Sequence, residues 1–364
     1  MKKFLFIIII GMFLFSSCAK KQDTVKTPPA PDGQTKEQVN NPGTPQPDLK
    51  VADYFPFVKD THMKYKGTGM EFAELDTYVD YIRGNLIQLK EINPGTTVAS
   101  VYEIGNGELK RVYNRGESYY RMDFTSLRKD EEVLIKEPIK TGTEWSLKNG
   151  GKRSITGIDK DVTTPLGSYK ALEVTTVYPD SKTQDYYVKG VGHIKRVFTA
   201  SASPENKIVT ELEKIEKDVP FKFQMAVYFP DYEKERIVFV WRNIEILTDQ
   251  DMKYKFQKEL KTIPEGSSLT KVLTPGVQVL SASVDEAKST AAIDFSSHLV
   301  SEMNAGSGLE GLILNSIVNT FGSYYQVNKV IITLEGKPYS SGHILMKPGE
   351  AFTVNTQKAV EYTK

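Results

Sequence analysis

Cysteine, histidine and an excess of either charge are what this 364-residue chain has least of, and each shortage closes a class of function. Cys18 is the only cysteine, so the folded part holds no internal disulfide and no cysteine-built zinc site. The four histidines, His62, His193, His298 and His343, are scattered without metal-ligand spacing, and no metal is expected. Lys plus Arg number 47 against 46 Asp plus Glu, interleaved along the chain, which leaves no electrostatic footprint for nucleic acid. The longest apolar run, Phe4 to Phe15, falls short of the roughly 20 residues that span a bilayer as a helix.

Catalytic and cofactor patterns are missing as well. No Gly-x-Ser-x-Gly elbow accompanies Ser340, Ser341 and His343, and Gly306-Ser-Gly308 lacks the Gly-Lys-Ser/Thr of a phosphate loop. Asp159-Lys-Asp161 and Asp249-Gln-Asp251 do not continue into a calcium-binding loop and read as solvated turn carboxylates. No enzyme and no cofactor is expected.

What is present begins with an address. Lys2 and Lys3, the run Phe4 to Phe15 and Ser16-Ser17-Cys18 read as a secretion signal over 1–18. Small residues directly before a cysteine resemble the bacterial lipobox, which implies a lipid on Cys18 and a place on the outer face of the cytoplasmic membrane. Acyl chains contribute about 0.8 kcal/mol per buried CH₂, so two or more hold a protein firmly where one would not. Residues 19–50 are rich in Pro, Lys, Gln and Thr and cannot build a core. They read as a tether with a reach of roughly 30 Å if coiled and about 100 Å if extended.

Residues 51–217 read as nearly all strand. Alternating or β-branched runs recur at Tyr78 to Ile82, Leu86 to Ile92, Val98 to Ile104, Leu109 to Tyr113, Tyr119 to Phe124, Val133 to Ile135 and on to Ile208 to Ile215. Asn93-Pro-Gly95, Gly105-Asn-Gly107 and Asn149-Gly-Gly151 supply hairpin turns between them. The expected result is an antiparallel barrel or half-barrel. Its concave face can hold an apolar ligand, and the pairs Tyr119-Tyr120 and Tyr186-Tyr187 invite that idea. Adjacent strand residues point to opposite faces, however, so only one of each pair can face inward.

Residues 219–352 mix helix and strand, giving an α+β chain in which a mixed sheet backed by helices follows the β-rich domain. A hairpin turns at Pro230-Asp231, and Asp249 is placed to cap a helix in which Met252, Phe256, Leu260 and Ile263 share a face. Its other face carries Lys253, Lys255, Lys258 and Lys261, of which Lys255 and Lys258 are the candidate partner surface. A second hairpin ends at Thr290-Ala-Ala-Ile-Asp-Phe295. Ser307 and Glu310 then form a capping box before an apolar helix that Gly322 is expected to end, followed by a strand from Val327 to Leu334. Residues 353–364 are a polar tail expected to fray.

Ala292-Ile-Asp-Phe-Ser296, Gly306-Ser-Gly-Leu-Glu310, the apolar helix and Gly342-His343 together resemble the GerMN domain of spore-germination and sporulation proteins. Val227-Tyr-Phe-Pro-Asp231 resembles its opening strand, and Leu273 to Leu280 its central turn. The family's Gly-Thr pair reads Gly276-Val277 here, and the lysine-rich helix is a further departure; both bear on partner choice. The resemblance implies a lipid-anchored, non-enzymatic envelope protein that assembles or scaffolds in sporulation or germination, through an envelope-protein partner or self-association. Asp294 and Glu310 are the acids within it, each with a structural role available at a strand or helix end. The alternative is a binding module that carries a hydrophobic or lipid ligand in the β-rich domain.

Overall fold

The structure, a computed structural model, describes residues 48–129 and 131–363. Cys18 and the tether up to residue 47 lie outside the described residues.

Local pattern and turn chemistry build the first sheet. Twelve strands run β1 (His62–Thr68), β2 (Leu75–Arg83), β3 (Leu86–Asn93), β4 (Thr96–Gly105), β5 (Glu108–Arg115), β6 (Glu132–Lys136), β7 (Glu144–Ser146), β8 (Lys152–Thr164), β9 (Gly167–Tyr178), β10 (Ser181–Val188), β11 (Gly192–Ala200) and β12 (Lys207–Glu216). Neighbours in sequence pair antiparallel, and β1 pairs β12, so the order is β6-β5-β4-β3-β2-β1-β12-β11-β10-β9-β8-β7. The edges β6 and β7 share no ladder: the sheet is open, a half-barrel. Side chains span the opening instead. Trp145 Nε1 donates to the Val133 carbonyl at 3.1 Å, and Arg153 reaches the same carbonyl at 2.6 Å and Glu132 at 2.6 Å.

One strand was not expected, and one expected strand is corrected. Strand β1 escaped the pattern because its alternation is interrupted by lysines and by Gly67; a Cβ on that glycine would sit 2.1 Å from the Glu74 nitrogen of the turn folded against it. Tyr119 to Phe124 is no strand. It leaves the sheet and carries Tyr120 into the core of the following region, with Met122 packed against it.

That region has two sheets where one mixed sheet was expected. Strands β13 (Phe221–Asp231) and β14 (Arg236–Ile246) form an antiparallel hairpin, and helix α1 (Met252–Lys261) follows. Next come β15 (Val279–Asp285), β16 (Thr290–Phe295), the short α2 (His298–Ser301), α3 (Ser307–Tyr325) and β17 (Lys329–Leu334). Strands β16 and β17 are parallel, and α3 is their crossover. The short β18 (Lys337–Pro338) and β19 (Phe352–Thr353) add to β17, and β20 (Val360–Glu361) adds to β14. The polar tail is therefore tied down rather than frayed: Asn319 on α3 exchanges two 2.9 Å hydrogen bonds with the backbone of Asn355.

The helix ends differ from their expected chemistry. Gly306, not Ser307, is the N-cap of α3 and offers no side chain, while the Glu310 amide donates to the Gly306 carbonyl at 3.0 Å. Glu310 is only 2% exposed and accepts from the Tyr339 hydroxyl at 2.7 Å, so its carboxylate ties the helix to the far end of the region instead of closing a capping box. Gly322 does not end α3; Gln326, in the left-handed region at φ 55°, does, and its amide returns to the Gly322 carbonyl. Gly322 is small because Val354 packs there, with a methyl 2.3 Å from where a Cβ would lie. For α1 the cap is Asp251, which accepts from the Lys253 amide, and not Asp249.

Asp249 serves the contact between the two regions. Its carboxylate accepts from the Ile82 amide at 2.8 Å and pairs with Lys59 at 2.7 Å and Arg83 at 2.5 Å, while its amide donates to the Asp80 carbonyl. Beside it Arg121, its side chain 2% exposed, pairs with Asp80 at 2.7 Å and donates to the carbonyls of Asp80 and Leu247. The half-barrel and the mixed region thus share a buried polar junction. Among the described residues no helix is long and apolar enough to cross a membrane.

Candidate functional site

Strand alternation places one residue in two on the concave side of the half-barrel, and there it encloses a cavity of ≈ 560 Å³. Met63 and Tyr65 enter it from β1, Leu75, Thr77 and Val79 from β2, Ile87, Leu89 and Glu91 from β3, and Thr183, Asp185 and Tyr187 from β10. Tyr187 therefore faces inward and its neighbour Tyr186 does not line the cavity. Neither Tyr119, half exposed, nor Tyr120, buried in the other core, lines it.

A bulge concentrates charge on this surface. Tyr186 pairs with Lys195 but Tyr187 with His193, so Ile194 is extra, and His193 and Arg196 both reach the concave face although three positions apart. Both meet Asp185: His193 Nε2 lies 3.0 Å and Arg196 Nε 2.7 Å from its Oδ1. Burial pushes the Asp185 carboxyl up, but Arg196 and His193 outweigh it and hold the group well below the usual carboxylate range. Asp185 in turn holds Arg196 charged.

Of the other charges on the cavity lining, the fold uses Glu91, Arg111, Glu132 and Arg153, while Lys217 is exposed and has no ion pair among the described residues. Glu132 takes Arg111 and Arg153, and Arg153 is completed by Thr176 and Val133. Glu91 accepts from Ser100 at 2.8 Å and Tyr102 at 2.6 Å. An aspartate paired with a histidine in a cleft can hold and pass a proton. Among the described residues, however, no hydroxyl or thiol is hydrogen-bonded to the His193 ring; the Tyr65 hydroxyl donates to the backbone carbonyl of His193 at 2.9 Å instead.

Burial raises the phenols of Tyr65, Tyr102, Tyr187, Tyr324, Tyr325 and Tyr339 above their ordinary value, with Glu91 adding to it at Tyr102 and Glu310 at Tyr339. Their folded values exceed the unfolded value of about 10, so their contribution is fully present below pH 10 or so. As pH rises further the unfolded chain gives up its protons first and stability falls. Urea midpoints are expected to drop steeply from pH 9 to pH 11 or so, with the tyrosinate absorbance of the folded protein lagging that of the unfolded chain. Equal titration of the two forms near pH 10 would refute this.

The remaining singled-out residues lie away from the cavity. His62 bridges Asp76 at 2.6 Å and Glu216 at 2.9 Å and stacks on Tyr78, tying three strands together. His298 and His343 are exposed. Asp294 accepts from the Thr333 hydroxyl at 2.6 Å and the Gly336 amide at 2.9 Å, closing the turn after β17. Asp161 pairs with Lys170. Among the described residues no three His, Cys, Asp or Glu side chains cluster as a metal site.

On α1, Lys253 and Lys261 donate to the carbonyls of Leu280 and Pro275 and so serve the fold. Lys258 is exposed and only 3.9 Å from Glu259, and Lys255 has no ion pair among the described residues. Burial, then Lys258, lowers the Lys255 ammonium. Sequence reasoning missed Asp185 and Arg196, whose one local signal was their place in alternating strands beside Tyr187.

No curated protein matches the chain. An exported protein of YmcC-like fold from Bacteroides fragilis aligns at 13% identity over 45% of this chain and 99% of its own, with a TM-score of 0.28. A lipoprotein from Clostridium perfringens aligns at 21% identity over 36% of this chain and 87% of its own, with a TM-score of 0.25. The tandem GerMN domains of the sporulation protein GerM from Bacillus subtilis align at 18% identity over 38% of this chain, with a TM-score of 0.29, and the aligned part spans 48% of that protein. Residues 226–340 match the family model described as Germane, sporulation and spore germination, over the segment whose motifs resemble a GerMN domain.

Proposed function

We propose that this protein is a non-enzymatic envelope module that acts in assembly or scaffolding during sporulation or germination, held on the outer face of the cytoplasmic membrane by a lipid on Cys18. The family match over residues 226–340 carries this reading. The geometry supports it in two ways. The matched region is locked to the half-barrel through Arg121 and Asp249, so a force or contact on one is passed to the other. Its first helix offers Lys255 and Lys258 one turn apart with little internal compensation. Like charges at that spacing repel, and an acidic partner surface relieves the repulsion.

The partner is then an acidic face of another envelope protein or of a second copy. The experiment is in-cell crosslinking from α1 in a spore-forming host, with alkynyl fatty acid labelling of the same protein. Wild type is expected to take the label at Cys18 and to crosslink during sporulation. The double reversal Lys255→Glu, Lys258→Glu is expected to weaken the crosslink about tenfold, with an unchanged melting point. Absence of label on wild type overturns the anchor, and a crosslink indifferent to both charges overturns the docking surface.

A further inference from the structure

We infer that the half-barrel cavity binds an anionic amphiphile, its apolar body against Val79, Ile87 and Leu89 and its carboxylate or phosphate on the terminal nitrogens of Arg196. The inference does not rest on the docking surface of α1 and stands or falls separately.

Size and lining come first. A cavity of ≈ 560 Å³ lies inside the range of about 300–1,000 Å³ typical of small-molecule sites. Its apolar strand residues are only partly buried at Val79 and Leu89, so hydrocarbon surface faces the concavity and a ligand's apolar body would remove it from water.

Charge supplies the second argument. Arg153 spends its guanidinium on Thr176, Val133 and Glu132 and has an 8% exposed side chain. Arg196 is different. Its Nε is fixed by Asp185, its side chain lines the cavity and is 52% exposed, and among the described residues no acceptor meets its two terminal nitrogens. Asp185 is 3% exposed and already shared with His193, so the fork is held in one orientation by a buried, satisfied partner. A planar guanidinium with its two terminal nitrogens free suits a carboxylate or phosphate in bidentate geometry on that end, and a concavity with apolar walls strengthens that pairing. Arg111 Nε, buried without an acceptor, is a second unspent donor on the same lining.

Neither feature alone selects the ligand class. An apolar cavity without Arg196 would take a neutral lipid, and a guanidinium without the walls would take any small anion. Together they ask for both parts in one molecule. The carboxylate of a fatty acid and the phosphate of a lysophospholipid share this chemistry.

The test uses the full-length protein in phosphatidylcholine vesicles, photolabelled with diazirine-bearing palmitate, lysophosphatidate or hexadecanol and mapped by peptide mass spectrometry. Palmitate or lysophosphatidate is expected to label β2 and β3, and whichever labels more strongly identifies the source of the anion. Arg196→Gln is expected to reduce that labelling about tenfold, the lower end for lost charge-assisted hydrogen bonds, while hexadecanol labelling stays as in wild type. Arg196→Lys keeps a charge beside Asp185 and loses the fork, so it should fold and still label weakly. Leu89→Trp fills the cavity and should abolish labelling by all three probes. Equal labelling of β2 and β3 by the acid and the alcohol in wild type, labelling confined to other surfaces, or full labelling in Arg196→Lys would each overturn the inference.

Discussion

Arg121→Met is expected to destabilise the protein by about 3–5 kcal/mol, the usual consequence of removing one partner from a buried ion pair. Arg121 and Asp80 side chains are each 2% exposed and 2.7 Å apart. The guanidinium also donates to the carbonyls of Asp80 and Leu247 and to the Tyr81 hydroxyl, and it lies over the Tyr81 ring at 4.5 Å. Methionine fills similar volume but leaves the Asp80 carboxylate with Gln88 Nε2, at 3.3 Å, as its remaining side-chain donor. The double variant Asp80→Asn, Arg121→Met should recover part of the loss, since residue 80 is then no longer an unpaired buried carboxylate.

The same substitution tests whether the two regions melt together. The chain has two tryptophans, Trp145 in the half-barrel and Trp241 on β14, so each region carries its own reporter. Wild-type urea unfolding is expected to be coincident at both, because Leu247 and Tyr120 place one region's atoms in the other's junction and core. Arg121→Met should separate the two midpoints. A loss below about 1 kcal/mol with coincident transitions would mean that the pair is dispensable to the junction.

Phe256→Ala should cost about 3–5 kcal/mol, the range for deleting a buried aromatic ring. Phe256 is fully buried and is the contact point of α1 with α3: its ring lies 4.2 Å from Phe321, 5.0 Å from Tyr324 and 6.0 Å from Tyr325. Alanine removes these partners at once and leaves a cavity that three large rings cannot collapse into. Lys255 and Lys258 flank this ring on α1, so crosslinking through them should fall as well, while palmitate labelling of the half-barrel is unchanged. Thermal and urea unfolding measure the first effect; Phe256→Leu, which keeps much of the volume, should cost clearly less. A cost near zero for alanine would place the ring outside the cooperative core.

Much of this protein follows from local chemistry. Period-two alternation and Asn-Gly or Pro-Gly turns announce an antiparallel sheet, because side-chain direction and positive backbone angles are properties of a few adjacent residues. Residue 106 and residue 107 both adopt positive φ, as an Asn-Gly hairpin requires. The helix of Phe256 and the helix of Phe321 were likewise visible as apolar faces, and the ordered motifs from Val227 to His343 pointed to the segment that the Germane model matches.

Side-chain partners were less legible, even near at hand. Ser307 and Glu310 have the spacing of a capping box, yet Glu310 prefers the Tyr339 hydroxyl, a buried donor 29 positions away that would otherwise lack an acceptor. Tyr119 to Phe124 alternates as a strand should, but Arg121 finds Asp80 across 41 positions and draws the segment out of the sheet.

The sequence by itself therefore determined most of the strands and both long helices, the all-β first region, the mixed second region and the order in which they come, since each depends on periodicity and turns within a short window. Tertiary structure alone decided that the first sheet stays open, that one residue of extra backbone at Ile194 turns His193 and Arg196 onto the face of Asp185, and that the two regions share a buried ion pair. The physical reason is common to all three: strand register and the partners of a buried charge are set by residues far apart in the chain, whose meeting is fixed only when the whole core closes.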